Sequence, residues 1–181
     1  TFSETIVFPP TLWPKEFVWS NYKTVWNSAP FGVYARNSII VTLGIIVLQM
    51  AITIPAAYGF AKFDFKFKEL LFAVVLLAFM IPANVTFISV YLLMAKWGLL
   101  RTLLPQILPH GASAFSIFLL RQSFMQVPEE IVESARLDGA SELRIMLQIM
   151  LPMSKPAMVT IALFSFIGHW NAYFWPLVMT D

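Results

Sequence analysis

The sequence predicts an all-α protein, a polytopic bundle of transmembrane helices, and two observations support this prediction. Of the 181 residues, 59% are hydrophobic and only 12% are charged, with a mean hydropathy of +0.73, whereas a soluble domain is about a quarter charged. Four stretches are long and nearly free of charge, and each reaches the roughly 20 residues that a helix needs to cross about 30 Å of hydrocarbon. A soluble protein would have to bury all four completely.

The chain divides into an N-terminal segment and a membrane-embedded part. Residues 1–36 are expected to be extracytoplasmic or interfacial, because they combine several prolines with Trp13, Trp19, Tyr22 and Trp26, which suit the headgroup level. The remaining residues form the predicted transmembrane core, in which a polar loop at 121–156 separates the third span from the fourth. The core is expected at 37–179, with spans at about 37–61, 70–95, 102–120 and 157–179.

Prolines within the spans and basic residues between them refine this topology. Pro55 and Pro82 each remove a backbone donor and are expected to bend or break their helices. If the loops 62–69 and 121–156 face the cytoplasm, the inner side holds seven basic residues and the outer side holds five. This bias has the sign of the positive-inside rule, and four spans then leave both ends of the chain outside.

Several classes of function lack the residues they need. There is no cysteine, so disulfide and thiol chemistry are excluded, and a net charge of +2 with scattered basic residues does not indicate nucleic-acid binding. None of the seven glycines opens a Gly-Lys-Ser/Thr phosphate-binding loop. His110 and His169 lie far apart in sequence without a Cys or carboxylate at ligand spacing, which favours structural histidines over metal ligands. We predict no catalytic residue, no cofactor and no metal site.

A highly charged segment lies at 128–152, between two membrane-length apolar runs. At 100° per residue, a helix beginning at Pro128 has a charged face and a less polar face. Gly139 can adopt the left-handed conformation that ends a helix, and Ser141 can cap a second helix over 142–150 that Leu151-Pro152 closes. A face with three glutamates suits a protein partner better than anionic lipid, for which Lys and Arg are typical. The charged face consists of Glu129, Glu130, Glu133 and Arg136, and the other of Ile131, Ser134 and Ala135.

The residues of this loop resemble a known motif. Glu133-Ser-Ala-Arg-Leu-Asp-Gly-Ala140, followed by Ile149-Met-Leu-Pro152, is similar to the EAA loop of ABC importer permeases, the membrane subunits through which an ATPase drives uptake. The family pattern has Ala where this chain has Ser134, a small-for-small difference. The segments 118–124 and 170–177 also look like the carbohydrate-type subgroup, which includes maltose and glycerol-3-phosphate permeases.

The resemblance implies an ABC importer permease fold with a cytoplasmic coupling helix. In the family this loop inserts into a groove of the ATPase, and the glutamate at the position of Glu133 forms a salt bridge with it. The implied partners are cytoplasmic ATPase subunits, a second permease subunit, an extracytoplasmic solute-binding protein and membrane lipid, in the inner membrane of a bacterium or archaeon. The residues expected to couple to the ATPase are Glu133, Ala135, Asp138, Gly139, Ala140, Leu151 and Pro152.

The solute path is less closely specified by the sequence. Polar groups inside spans are costly unless they are paired or face water, which makes Asn84 and Asn171 candidates for lining it. Trp170 and Tyr173 could stack on a sugar, but an interfacial aromatic belt that includes Trp175 explains them without a substrate. The resemblance implies a sugar, a polyol or glycerol 3-phosphate, and the absence of Arg and Lys from the spans favours a neutral sugar.

Other interpretations stay open beside the importer permease. A purely structural membrane subunit would leave solute contacts to its partner. An ion channel or secondary transporter would need charged residues within the spans, and the predicted spans have none. Family members usually have six spans, of which the four here correspond to the second through fifth, so the first and last are expected to be missing.

Overall fold

The structure is a computed structural model that describes residues 18–180, with the backbone alone at 83 and 84. The chain divides into two compact units, Thr1–Asn37 and Ser38–Asp181. The helices of the described part are α1 (Ser20–Ser28), α2 (Phe31–Lys62), α3 (Lys68–Phe79), α4 (Ala83–Lys96), α5 (Leu104–Ile107), α6 (Ala114–Met125), α7 (Glu129–Leu137), α8 (Glu142–Ile145), α9 (Leu151–Met153), α10 (Lys155–Trp170) and α11 (Phe174–Thr180).

The described part of the first unit is rich in exposed aromatic side chains. Trp19 stacks on Tyr22 with ring centroids 5.8 Å apart, and Trp26 stacks on Phe31 at 6.2 Å. The sequence placed these residues at the headgroup level together with Trp13, which lies outside the described residues. The interfacial setting stays a prediction.

Helix α2 has the length and composition of a membrane span. Its 32 residues extend about 48 Å at 1.5 Å per residue, and it starts at Phe31, before the predicted beginning at residue 37. Pro55 lies inside the helix without ending it, so its i−4 carbonyl lacks the usual helical donor. Buried positions recur about every fourth residue, as one helical face requires; they include Val41, Ile45, Gln49, Thr53 and Ala57.

The second predicted span is divided by Pro82. Helix α3 ends at Phe79 and α4 begins at Ala83, with Pro82 between them in an extended conformation (φ −62°, ψ 130°). A proline is tolerated immediately before or in the first turn of a helix, where no backbone donor is needed, but not in its interior. The expectation that Pro82 breaks its helix is therefore confirmed, whereas α2 continues through Pro55.

The third and fourth predicted spans are also interrupted. The stretch 102–120 contains α5, a 3₁₀ turn at Leu108–His110 and then α6, which continues to Met125. The stretch 157–179 contains α10 and α11 with a break between them. Among the described residues, one helix, α2, is long and apolar enough to cross a membrane, or two are if the bent pair Glu142–Met153 and Lys155–Trp170 forms one span.

Two glycines permit the segment around α5 to approach α2 closely. A Cβ atom on Gly44 would lie 2.9 Å from the Ile107 Cδ1 atom, and a Cβ atom on Gly111 would lie 2.7 Å from the Leu48 Cδ2 atom. Larger residues at these two positions would force the neighbouring side chains to move. The interrupted third stretch is thereby packed against the middle of α2.

A sharp bend separates the loop from the last long helix. Helix α8, a π-helical segment at Met146–Met150 and α9 follow one another without a gap, and this rod meets α10 at 80°. The sequence predicted that Leu151-Pro152 would close the second helix of the loop, but the helix continues to Met153 and breaks at Ser154 (φ −103°, ψ 18°). Proline fits there because it occupies the first turn of α9.

The main buried cluster lies where the end of α2 meets the loop. Helices α2, α6, α7, α8 and α10 and the π segment all contribute side chains to it. The charged loop is therefore packed against the helices through its apolar side chains. The cluster consists of Ala57, Tyr58, Leu120, Phe124, Val127, Val132, Ile145, Met146, Met150 and Ile161.

Candidate functional site

Helix α7 presents a different face to the interior from the one that charge patterning predicted. Pro128 precedes the helix, which begins at Glu129. Val132 is fully buried, whereas Ile131 is 37% exposed, so the predicted less polar face of Ile131, Ser134 and Ala135 was wrong by roughly one residue's rotation. The reason is that two charges of the predicted outer face have partners within the chain, which lets that side of the helix turn towards the core.

The first of these charges is Arg136, which binds Glu142. Its Nε atom lies 2.7 Å from Glu142 Oε1, and its Nη2 atom lies 3.3 Å from Oε2. This is a two-point contact of the kind that orients a guanidinium on a carboxylate. The Tyr58 hydroxyl of α2 donates a further hydrogen bond to Glu142 Oε2. Glu142 therefore joins α2 to α7.

The second charge is Glu129, which closes a ring of contacts. Its Oε1 atom lies 3.7 Å from Arg136 Nη1, and its Oε2 atom lies 2.6 Å from Lys62 Nζ. The Lys62 side chain is only 4% exposed, and its Nζ also donates to the Val127 carbonyl at 3.1 Å. Tyr58 and Lys62 lie four residues apart on α2, on one face. We call the five residues Tyr58, Lys62, Glu129, Arg136 and Glu142 the charge ring.

The contact between Arg136 and Glu142 shifts the pKa of both residues. The hydrogen bond from Arg136 and then that from Tyr58 lower the pKa of Glu142 below its ordinary value, and the hydrogen bond to Glu142 raises the pKa of Arg136 above its ordinary value. Both shifts favour the charged forms. At neutral pH the contact between them is a charge-assisted one.

The turn after α7 has the geometry that the sequence predicted. Gly139 has a φ of +79°, and the Ala140 amide donates to the Ala135 carbonyl at 3.0 Å, which is a helix C-terminal arrangement that glycine favours. The Ser141 side chain accepts a hydrogen bond from the Arg144 amide and caps α8. The predictions for Gly139 and Ser141 are confirmed.

The outer side of the helix–turn–helix forms an open concavity of about 390 Å³. Three predicted coupling residues, Ala135, Asp138 and Ala140, line it together with Arg144, Gln148 and Ile149. On the same helix, Glu133 and Leu137 are exposed, Leu137 to 89%. A helix–turn–helix that combines a concave surface with an exposed leucine and acidic side chains can receive a protein partner.

The other predicted coupling residues have different settings. Gly139 forms the turn itself. Leu151 packs against the buried cluster, and Pro152 is exposed next to the 80° bend. The sequence motif therefore combines residues of the outer surface with residues that shape the rod behind it.

Sequence reasoning missed the role of Arg121. This residue of α6 is 7% exposed, and its Nε donates to the Phe60 carbonyl near the end of α2 at 3.1 Å. Its guanidinium lies 4.1 Å from the Phe72 ring centroid and 3.4 Å from Glu69 Oε1. A buried cation on a helix carbonyl end and an aromatic face is favourable. Arg121 thereby connects the end of α2 to α3 and α6. Its position four residues after Ile117, on the same buried face of α6, is the sequence feature that could have indicated its burial.

The predicted path residues make mainly local contacts. The Asn171 side-chain amide donates to the Ile167 carbonyl at 2.8 Å, one turn earlier, and Trp170 stacks on Phe166 at 5.4 Å. Tyr173 is 75% exposed. Asn84 is the second residue of α4, and its side chain lies outside the described part of the structure. Their role in a solute path stays a prediction.

The two histidines lie together, which the sequence did not predict. The rings of His110 and His169 are 4.5 Å apart, and Trp175 packs on His110 at 5.1 Å. The Trp175 Nε1 atom donates to the Pro105 carbonyl at 3.0 Å. Trp175 therefore joins α11 to the α5 segment, and its internal contacts differ from the aromatic belt suggested for it. Within residues 18–180, no group of three or more potential ligands gathers for a metal.

A helical fold with an apolar, span-length helix and a packed, charged helix–turn–helix fits a subunit of a membrane transport system. Residues 49–181 match the family described as "Binding-protein-dependent transport system inner membrane component". The chain belongs to this family, and its predicted all-α fold, inner-membrane location and resemblance to importer permeases are confirmed.

The relatives agree with this assignment. The chain is 34% identical to the sn-glycerol-3-phosphate transport system permease protein UgpE of Pectobacterium atrosepticum, over 98% of this chain and 66% of that protein. It is 36% identical to the same-named protein of Salmonella typhi, over 100% of this chain and 68% of that one. The chain thus spans about two thirds of the length of these relatives.

A solved structure supports the fold. The chain matches a crystal structure of a bacterial ABC transporter involved in the import of the acidic polysaccharide alginate, with a TM-score of 0.74 and 29% sequence identity. The match covers 81% of this chain and 51% of the matched chain.

Proposed function

We propose that this chain is the core of a permease subunit of an ATP-driven importer and that it performs no bond-making chemistry itself. The observation that carries the proposal is the helix–turn–helix 128–152. Its Val132 is part of the buried cluster, and its surface forms an open concavity. The chain that carries it belongs to a family of binding-protein-dependent transport components. ATP would be hydrolysed by a separate cytoplasmic subunit.

The ATPase would dock on the outer surface of α7 and the following turn. The exposed glutamates Glu130 and Glu133 and the carboxylate of Asp138 give this surface an acidic character, which suits a basic groove on the partner. Leu137, 89% exposed, would supply an apolar contact to the partner. Leu151 and Pro152 would act behind the surface by fixing the direction of the rod.

The remaining partners follow from the transport cycle. A second permease subunit would complete the path with this chain, and an extracytoplasmic binding protein would deliver the solute. Closure of the ATPase pair would move the docked loops and switch the spans from inward-facing to outward-facing, an alternating-access cycle. Lipid would cover the outward apolar faces.

The solute is proposed to be a small polyhydroxylated compound. The relatives include glycerol-3-phosphate permeases and the solved structure an alginate importer, both of which carry hydroxylated substrates. The predicted spans of this chain contain no Lys or Arg that would neutralise a phosphate, so a second permease subunit would provide that charge if the solute is glycerol 3-phosphate.

Uptake into proteoliposomes tests the proposal. The full-length complex, purified from its native membrane, would be reconstituted and supplied with ATP and either labelled glycerol 3-phosphate or labelled maltose. We expect ATP-dependent accumulation of one class and none with a non-hydrolysable analogue. ATP-independent equilibration of either solute would indicate a channel and contradict the proposal.

Two substitutions ask whether this chain itself contacts the solute. We expect Asn84→Ala or Asn171→Ala to weaken the apparent affinity for the transported solute, because a polar group in a membrane path is retained for pairing. Unchanged affinity and selectivity in both variants would assign recognition to the second permease subunit. Tyr173 is exposed, and its ring could stack on the solute. Tyr173→Phe keeps this ring, so a stacking contact predicts unchanged affinity in that variant.

A further inference from the structure

We propose that the charge ring is the joint through which movement of α7 is passed to α2. This rests on the proposed function, because it presumes an ATPase acting on α7. Its members come from three separate parts of the chain, because Tyr58 and Glu142 are 84 positions apart in sequence and Lys62 and Glu129 are 67 apart. The ring therefore makes a mechanical connection that the covalent chain does not provide.

The contacts of the ring suit the transfer of movement. Arg136 holds Glu142 at two points, 2.7 Å and 3.3 Å, which fixes their relative orientation as well as their distance. Apolar contacts beneath it, such as Val132 in the buried cluster, resist compression but have no preferred direction. The directional polar contacts of the ring and the apolar contacts of Val132 would together hold α7 and the end of α2 as one rigid unit.

Helix α2 is the element on which this joint would act. Pro55 lies three residues before Tyr58 and seven before Lys62 in α2. Because proline has no N–H, the helix lacks one backbone hydrogen bond there. Arg121 fastens the same end of α2 through the Phe60 carbonyl. The last two turns of α2 are thus held firmly, and the break in hydrogen bonding at Pro55 is where the rest of the helix can change its angle.

The ring is separate from the docking surface. The ring contacts join Glu129 and Glu142 to Lys62 and Tyr58 of α2. None of the five ring residues lines the concavity proposed for the ATPase, which is formed by Ala135, Asp138, Ala140, Arg144, Gln148 and Ile149. Substitutions in the ring are therefore expected to impair transmission without removing the ATPase. This difference makes the inference testable apart from docking.

The test follows α2 directly and needs no knowledge of the solute. The chain has no cysteine, so Val47→Cys, 68% exposed on α2, places one spin label on it in the full-length complex. We expect the spectrum to change when ATP and vanadate trap the ATPase closed. In Arg136→Gln we expect the ATPase to be retained and this change to fall roughly two-fold to thirty-fold, the range for residues in a coupling network.

Controls separate transmission from folding and docking. Lys155→Gln removes one positive charge from the same loop, at an exposed position outside the ring, and is expected to respond like the parent. Tyr58→Phe removes a single hydroxyl from the ring and provides the test if Arg136→Gln does not assemble. The exchange of charges in Arg136→Glu with Glu142→Arg is expected to recover part of the response.

The outcomes are distinguishable. An undiminished ATP-dependent change in both Arg136→Gln and Tyr58→Phe would overturn the inference and leave the proposed function standing. Loss of the ATPase from these variants, with Lys155→Gln intact, would also overturn it, because the ring would then serve docking. A parent complex that contains no ATPase would overturn the inference and the proposed function together.

Discussion

At the scale of single residues, Glu142 has the most contacts that sequence reasoning could not anticipate. It accepts hydrogen bonds from Arg136, six residues earlier, and from Tyr58, 84 residues earlier. In the sequence it is only an acidic residue in the first turn of a helix, which the helix dipole favours. The structure makes it the meeting point of α2, α7 and α8.

The lowered pKa of Glu142 predicts how its contribution depends on pH. Because the folded-state pKa lies below 4.5, the native state binds fewer protons than the unfolded state there, so the stabilisation is present above the ordinary carboxyl pKa and is lost as the pH falls through the folded-state value. The difference in Tm between the parent and Glu142→Gln should be largest near pH 7 and shrink below about pH 4.5. A difference independent of pH would show that the charge is not involved.

Gly139 allows a test of backbone conformation alone. Its φ of +79° costs a residue with a Cβ about 1–2 kcal/mol, and a Cβ there would meet no atom within 4 Å. Gly139→Ala should therefore lower the free energy of unfolding by about that amount, whereas Gly139→Asn should cost less because Asn tolerates this conformation. Thermal unfolding of the two variants in detergent measures this, and equal losses would contradict the explanation.

The sequence predicted backbone features at this scale better than it predicted partners. Gly139 and Ser141 were predicted correctly because the φ of a turn and the cap of a helix depend on the residue itself. The pairing of Arg136 with Glu142, and of Glu129 with Lys62, depends on which elements meet in space. The local sequence pattern does not show which helices come into contact in the folded chain.

At the scale of elements, Val132 determines how α7 is seated. Its side chain is fully buried, and burying a valine is worth roughly 1.5–3 kcal/mol. Val132→Ala should lower the free energy of unfolding by about 2 kcal/mol, while Ile131→Ala on the same helix, 37% exposed, should cost much less. Chemical denaturation of both variants gives the comparison, and equal costs would mean that α7 is not seated as described.

Arg121 predicts a second test at this scale. Removing a buried, charge-assisted hydrogen bond costs about 1.5–3 kcal/mol, so Arg121→Gln should reduce stability by that amount. Arg121→Lys should recover only part of it, because lysine lacks the planar group that contacts both the Phe60 carbonyl and the Phe72 ring. The exposed Arg144→Gln serves as a charge-matched control. Full recovery by lysine would reduce the role of Arg121 to its charge.

The apolar stretches were predicted as a set, but their internal breaks were only partly foreseen. Pro82 breaks the second stretch as expected. The interruptions around Leu108–His110 and between α10 and α11 arise where Trp175 bonds the Pro105 carbonyl and where the two histidines pack. Because these are tertiary contacts, hydropathy alone cannot predict the breaks, and each stretch reads as one continuous apolar run.

At the scale of the whole molecule, burial and exposure are unevenly distributed. The buried cluster lies at the end that carries the charged loop. Large apolar side chains such as Val47, Val85 and Ile88 are each more than two-thirds exposed. Exposed apolar surface on this scale indicates lipid or protein cover, as the family assignment requires. The main buried cluster of the described residues thus lies at the end proposed to dock the ATPase.

We propose above all that the loop 128–152 connects a membrane permease to a separate ATPase. The most direct measurement is ATP hydrolysis by the full-length complex purified from its native membrane, for the parent and for Gly139→Trp, with Lys155→Gln as the control. We predict ATPase activity and an ATPase subunit in the parent and the control, and their loss in Gly139→Trp, whose side chain would project from the docking turn. An equal amount of ATPase in all three would contradict docking on this loop, and its absence from the parent would contradict the importer itself.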